Sequence, residues 1–98
     1  MIYLGADHGG FELKEAIKQH LLEQGYEVED CGTHSAESVD YAPIAQATCE
    51  KLLADKGSLG ILCCGTGIGI SMAANKVHGI RAACCSDYFS AKYTRLHN

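Results

Sequence analysis

Short apolar runs alternate with longer stretches of helical period along this chain of 98 residues. Ile2, Tyr3, Leu4, Gly5 and Ala6 form an apolar run that stops at Asp7-His8-Gly9-Gly10. Beyond it Phe11, Leu13, Ala16, Ile17, Leu21 and Leu22 fall largely on one face of a helix over residues 11–24. Gly25 suits the end of that helix, and residues 26–31 read as a second strand with Val28 inward. A polar loop, 32–39, follows. Asp40 can cap a helix over residues 41–54, where Pro43 is tolerated because first-turn N–H groups have no intrahelical partner. Residues 59–64 are an apolar run broken only by Gly60 that ends at Gly65-Thr66-Gly67-Ile68-Gly69. The pattern then predicts a helix over 68–76, a fourth strand over 80–85, and a helix capped by Ser86 that runs from Asp87 toward Leu96.

The order is β-α-β-α-β-α-β-α, with a helix between each strand and the next. Such connections are crossovers, so the expected fold class is α/β: a three-layer α/β/α sandwich around a parallel, Rossmann-like sheet of four strands. Ligands of such sheets sit at the carboxyl ends of the strands. Asp7-His8, residues 64–69 and Ser86-Asp87 lie there.

Composition narrows the function classes. Ninety-eight residues make one α/β domain, 1–98, and leave no room for a second. Hydrophobic residues at 47% and charged residues at 20% exclude a disordered tail or a low-complexity segment. A net charge of −4 argues against a nucleic-acid partner, which a basic face would attract. The longest uncharged stretch, 57–75, carries five glycines, so no membrane span is expected. The first residues lack a basic segment and a long apolar run, so the expected location is the cytoplasm. Cysteines at 31, 49, 63, 64, 84 and 85 form no Cys-x-x-Cys pair. That pattern supports neither zinc nor a redox pair, and most of these thiols are expected to be small core residues of a reduced protein.

The glycine-rich turn is the main carrier of chemistry. A strand that runs through it into a helix leaves N–H groups aimed at one spot, with the positive end of the helix dipole behind them, which suits an anion. Ile70 occupies the place of the third Rossmann glycine, and no Lys-Ser or Lys-Thr follows, so neither dinucleotide nor Walker geometry fits. The plain alternative is a tight turn with close helix packing. Cys64 precedes this turn, where N–H donors at a helix start stabilise a thiolate that can act as nucleophile or base. No arginine stands six residues beyond it, which excludes the phosphatase loop. Cys63, Cys84 and Cys85 fit buried strand positions better. Asp7 either touches substrate or only caps the first helix. Thr66 can donate its hydroxyl to a substrate oxygen or brace the turn. His20, His34 and His78 have no suitable sequence neighbours.

Together Gly5-Ala6-Asp7-His8-Gly9-Gly10-Phe11, Cys64-Gly65-Thr66-Gly67-Ile68-Gly69-Ile70-Ser71, Ala74-Asn75-Lys76, Gly79-Ile80-Arg81-Ala82 and Arg95-Leu96-His97-Asn98 resemble the ribose-5-phosphate isomerase B family, which includes allose-6-phosphate isomerases. The likeness spans the whole chain. It implies an aldose–ketose isomerase acting on a phosphorylated sugar, with no metal or organic cofactor. It further implies Cys64 as proton acceptor and His97 as the acid/base that opens the sugar ring. Asp7, His8, Gly65, Thr66, Gly67, Ile68, Gly69 and Asn98 would be substrate contacts. The related galactose-6-phosphate isomerase subunits vary at the cysteine, which favours the ribose or allose branch. By the same resemblance the molecule is a homodimer or tetramer, with His97 facing Cys64 of a partner chain. Family members continue for roughly another half-length, with a fifth strand and arginines that clamp the phosphate. The 98 residues correspond to the N-terminal two thirds, and neither Arg81 nor Arg95 takes the clamp role.

The proton chemistry agrees with the residues. Isomerisation needs a base for the C2 proton, donors for the enediolate, and an acid/base at the sugar oxygens. Cys64, Thr66 with the turn's N–H groups, and His97 with Asp7 are the candidates. Two other readings use the same turn. One is a phosphate- or nucleotide-binding module without catalysis. The other is a cysteine phosphocarrier, which usually carries its cysteine after the first strand rather than the third.

Overall fold

The computed structural model describes all 98 residues. Strand β1 (Ile2–Ala6) is flanked on both sides, with β2 (Val28–Asp30) and β3 (Leu59–Cys63) running parallel to it in the order β2-β1-β3. Ile2 pairs with Val28 on one side and with Leu59 on the other. The helices are α1 (Phe11–Glu23), α2 (Tyr41–Ala54), α3 (Ile68–Asn75) and α4 (Tyr88–His97). The chain moves from β1 to β2 in one direction and from β2 across β1 to β3 in the other. Right-handed crossovers therefore set α1 and α2 on opposite faces of the sheet. The class is α/β/α around a parallel Rossmann-like sheet, as the pattern predicts.

The core is buried on both faces of the sheet: Ala45, Thr48 and Cys49 of α2 with Ile70 and Ala74 of α3 on one, and Leu4, Ala6 and Cys63, which alternate with Gly5 and Leu62, on the other. Full burial of Leu4 or Ile70 contributes about 2 kcal/mol each. Helix α2 approaches β1 so closely that a Cβ on Gly5 would meet Thr48 Oγ1 at 2.5 Å. On the other face the one fully buried side chain of α1 is a cation, Lys14. Its Nζ donates to both carboxylate oxygens of Asp30 at 2.8 Å and to the carbonyl of Thr33. Gly32 N–H donates to Asp30 as well, at 2.9 Å. Burial works to raise the Asp30 carboxyl, but hydrogen bonds from Lys14, Gly32 N–H and Lys18 overcome it and hold the group below the usual carboxylate range. Leu13 and Leu22, expected inward, are exposed, because the inward row of α1 runs through Lys14, Ile17 and Leu21.

The expected fourth strand does not form. Residues 80–85 pair with no strand, and a cleft of about 1160 Å³ lies between Leu59–Leu62 of β3 and this segment. Asn75 holds the segment instead. Its side-chain amide donates to Ala82 O and accepts from Ala82 N, both at 2.8 Å, much as a neighbouring strand would. Cys84 and Cys85, expected in the core, are consequently exposed. All six cysteines are free. The cap of α4 is Asp87 rather than Ser86, its carboxylate accepting from Ser90 N–H at 2.7 Å. No helix is long and apolar enough to cross a membrane.

Candidate active site at the carboxyl ends of the strands

The first and third strands end side by side. Asp7 N–H donates to Cys63 O at 3.2 Å, and a Cβ on Gly9 would lie 3.1 Å from Gly65 N. Gly10 is tighter still, its missing Cβ falling 2.3 Å from the Cys63 carbonyl carbon. Glycines at 9 and 10 thus let the segment after β1 lie directly against the turn after β3. Between β1 and α1 runs a short 3₁₀ turn, His8–Gly10, capped by the buried carboxylate of Asp7, which accepts from Gly10 N–H at 3.0 Å. Of the two roles open to Asp7, the structure displays the capping one.

Gly67 adopts φ +78°, a left-handed conformation that favours glycine, and α3 begins at the next residue. That conformation turns the Gly67 N–H back onto Cys64, whose Sγ accepts it at 3.1 Å. Thr66 Oγ1 accepts from Ile68 N–H at 3.1 Å, which leaves its hydroxyl proton free to donate elsewhere. The N–H groups of Gly65, Thr66 and Gly69 make no hydrogen bond within the chain. A sulfur and a hydroxyl are therefore fixed on one short arch beside unused donors, at the positive end of a helix.

His8 projects from the 3₁₀ turn, and its Nδ1 contacts the main chain of Val39, just ahead of the Asp40 cap of α2. Three further residues belong to the surroundings and were not singled out by spacing. The ring of Tyr41 covers Gly69, where a Cβ would sit 2.9 Å from Tyr41 Cζ. Cys84 Sγ lies 3.9 Å from Thr66 O. Val39 reaches His8 through backbone atoms, which leave no mark in a pattern of side chains.

His97 lies apart from this cluster, whereas Asn98 lines the cleft that Gly67 also borders. The His97 ring stacks on Tyr93 at 5.4 Å, and Tyr93 lies tilted against Phe89 at 4.6 Å, along an exposed face of α4. Asn98 accepts from Arg81 Nη1 through its backbone oxygen at 2.7 Å. Within one chain the structure thus brings together Asp7, His8, Cys64 and Gly65-Thr66-Gly67-Ile68-Gly69, without His97. No three His, Cys, Asp or Glu side chains converge on a metal-sized site.

Residues 2–98 match the family model described as Ribose/Galactose Isomerase. The chain is 50% identical over 97 residues to ribose-5-phosphate isomerase B of Escherichia coli, covering 99% of this chain and 65% of that protein. Against ribose-5-phosphate isomerase B of Mycobacterium tuberculosis the identity is 44%, over 99% of this chain and 60% of that protein. Among solved structures, a ribose 5-phosphate isomerase from Thermotoga maritima superposes with a TM-score of 0.94 at 49% identity, covering 99% of this chain and 67% of that one. Ribose-5-phosphate isomerase B from Mycoplasma genitalium, solved with bound ribulose-5-phosphate, gives 0.92 at 38% identity, over 98% and 64%. The chain thus spans about two thirds of the length of these relatives.

Proposed function

Because the chain belongs to the ribose/galactose isomerase family, we propose that it interconverts ribose 5-phosphate and ribulose 5-phosphate through a cis-enediolate, with Cys64 as the base. The observation that carries this reading is the Cys64 sulfur held 3.1 Å from Gly67 N–H at the start of α3. As thiolate, Cys64 takes the C2 proton and returns it at C1. The free Thr66 hydroxyl proton and the unused N–H groups of Gly65 and Gly69 face the charge that develops on the sugar oxygens. Asp7 and His8 border the same space, and the chemistry calls for no metal or organic cofactor. His97 lies outside the cluster of its own chain, so the reading places it, with Asn98, in the site of a second copy, where it opens the furanose. A homodimer, or a tetramer of such dimers, follows from that assignment. Six unpaired cysteines support a reducing, cytoplasmic setting.

A coupled assay for ribulose 5-phosphate tests the reading, on this chain and on this chain extended by the remaining third of the Escherichia coli relative. Cys64→Ala is expected to lower turnover by about 10³-fold while the far-UV circular dichroism spectrum is retained. Near-normal turnover in that variant would remove Cys64 from the mechanism. Allose 6-phosphate as a second substrate separates the two branches. One observation favours a second reading: Asp7 and Thr66 already serve as caps of their own turns. An anion-binding module without catalysis would bind the sugar phosphate and convert none, and Cys64→Ser would leave that binding intact.

A further inference from the structure

A buried ion pair is a poor source of stability, because taking two charges out of water costs about as much as their attraction contributes, and apolar side chains of similar volume often hold a sheet face at least as well. A lysine at the one fully buried position of α1 therefore calls for another reason. We propose that Lys14 is a positioning residue, whose ammonium, through Gly32 and Thr33, sets the end of β1 and so fixes Asp7 relative to Cys64. The inference rests on the isomerase reading above and adds to that site a residue that touches no substrate.

The hydrogen bonds run without a break from α1 to the site. Lys14 Nζ donates to Asp30 and to the Thr33 carbonyl, and the same carboxylate accepts from Gly32 N–H at 2.9 Å. Gly32 and Thr33 are thereby both tied to the ammonium. These two residues in turn hold Ala6, the last residue of β1: Ala6 N–H donates to Gly32 O and Thr33 N–H to Ala6 O, both at 2.6 Å. Neither belongs to β2, which ends at Asp30, so regular strand pairing does not place them. Asp7 comes next, and its N–H donates to Cys63 O at 3.2 Å, one residue before Cys64.

Lys14 also fixes the far end of the turn that bears Asp7, because it sits in the first turn of α1, the helix that follows His8–Gly10. The turn is suspended between Ala6 and the start of α1, and both of these points are held by one charged nitrogen. No neighbour can take over. Lys18 reaches Asp30 at 3.2 Å but makes no bond to Thr33, and from His34 to Ser38 the loop is exposed, so the Thr33 carbonyl depends on Lys14. The charge is felt at the strand end as well: burial and the neighbouring Cys64 push the Cys63 thiol up, and Lys14 works against them. A displacement of about 1 Å at a reacting centre lowers a rate by about 10²-fold, which sets the size of the effect to look for.

The test uses Lys14→Met/Asp30→Leu, in which both charges are gone and no buried ion is left unpaired, so that overall stability and site geometry come apart. In the ribulose 5-phosphate assay, at a temperature where circular dichroism shows wild type and variant equally folded, kcat is expected to fall by about 10²-fold while KM changes by less than about threefold. Amide hydrogen exchange at Asp7 and Thr33 is expected to accelerate, with Cys49 of α2, on the other face of the sheet, unchanged. A lysine that served only to fill the sheet face would move neither reading once folding is matched. Wild-type kcat in the folded double variant, or unchanged exchange at Asp7, overturns the proposal. If the double variant does not fold, Lys14→Met below its melting midpoint carries the same comparison with the same two outcomes. A wild-type chain that converts no ribose 5-phosphate removes the isomerase reading instead, and exchange at Asp7 still decides whether Lys14 sets the strand end.

Discussion

Replacing Lys14 by Met should cost this protein about 3 kcal/mol of stability. The ammonium is fully buried and bonds both Asp30 oxygens at 2.8 Å as well as the Thr33 carbonyl. Methionine fills the aliphatic volume but leaves the Asp30 carboxylate, with a side-chain exposure of 9%, without its main partner. Breaking a buried pair from one side costs about 3–5 kcal/mol. Lys18 at 3.2 Å and Gly32 N–H remain, which puts the loss near the lower figure. Against a total stability of about 5–15 kcal/mol, that is a large fraction. At about 4–8 °C per kcal/mol for a chain of this size, Tm should fall by roughly 12–24 °C. Lys14→Met/Asp30→Leu, which removes both charges, should recover about 2 kcal/mol, the remainder reflecting the orphaned Gly32 N–H. Urea unfolding followed by circular dichroism gives all three values. The pH dependence has a definite sign. The folded-state pKa of Asp30 is depressed, so its stabilisation is complete above the unfolded value of about 3.9 and is lost as pH falls through the folded one. The gap between wild type and Lys14→Met should therefore narrow below about pH 4. A loss under about 1 kcal/mol, or a double variant no better than the single, would overturn this account of the buried pair.

Two glycine and amide contacts give further expectations. Gly10→Ala would drive a Cβ to 2.3 Å from the Cys63 carbonyl carbon, and because the obstacle is backbone the strand end must move. Loss of folded protein, or a destabilisation above about 2 kcal/mol in a thermal melt, is expected, and a neutral result would contradict the close approach of the two turns. Asn75→Leu keeps the branched shape and removes both bonds to Ala82. Amide hydrogen exchange at Ala82 should accelerate while that of β1 stays unchanged, and equal protection in both proteins would show that Asn75 does not hold the segment.

What could be read from the chain differs between local and non-local features. Strands β1 and β3, helices α1 to α4 and the turn at 65–69 are each announced by apolar period, glycine or cap within a few residues. Residues 80–85 have the same apolar look as β3, yet a strand is defined by its neighbour, and across the cleft from β3 none is in reach. Lys14 reads as a surface residue between Leu13 and Glu15, because only the distant Asp30 and Thr33 make its burial tolerable. The site divides in the same way. Cys64, Thr66 and Asp7 were legible from their place at strand ends. The partnership of His8 with Val39 joins residues 31 positions apart through backbone atoms, and Tyr41 against Gly69 is a packing relation between two helices.

The outer edge of β3 has a bearing on how this protein is handled. Its main-chain donors and acceptors on that side meet water rather than another strand, and an unpaired edge beside an apolar cleft is a template for any extended segment that drifts past. Protein concentration thus becomes a variable of every measurement outlined above. Rates and melting curves taken over a dilution series separate the properties of the isolated chain from those of chains that have begun to join edge to edge.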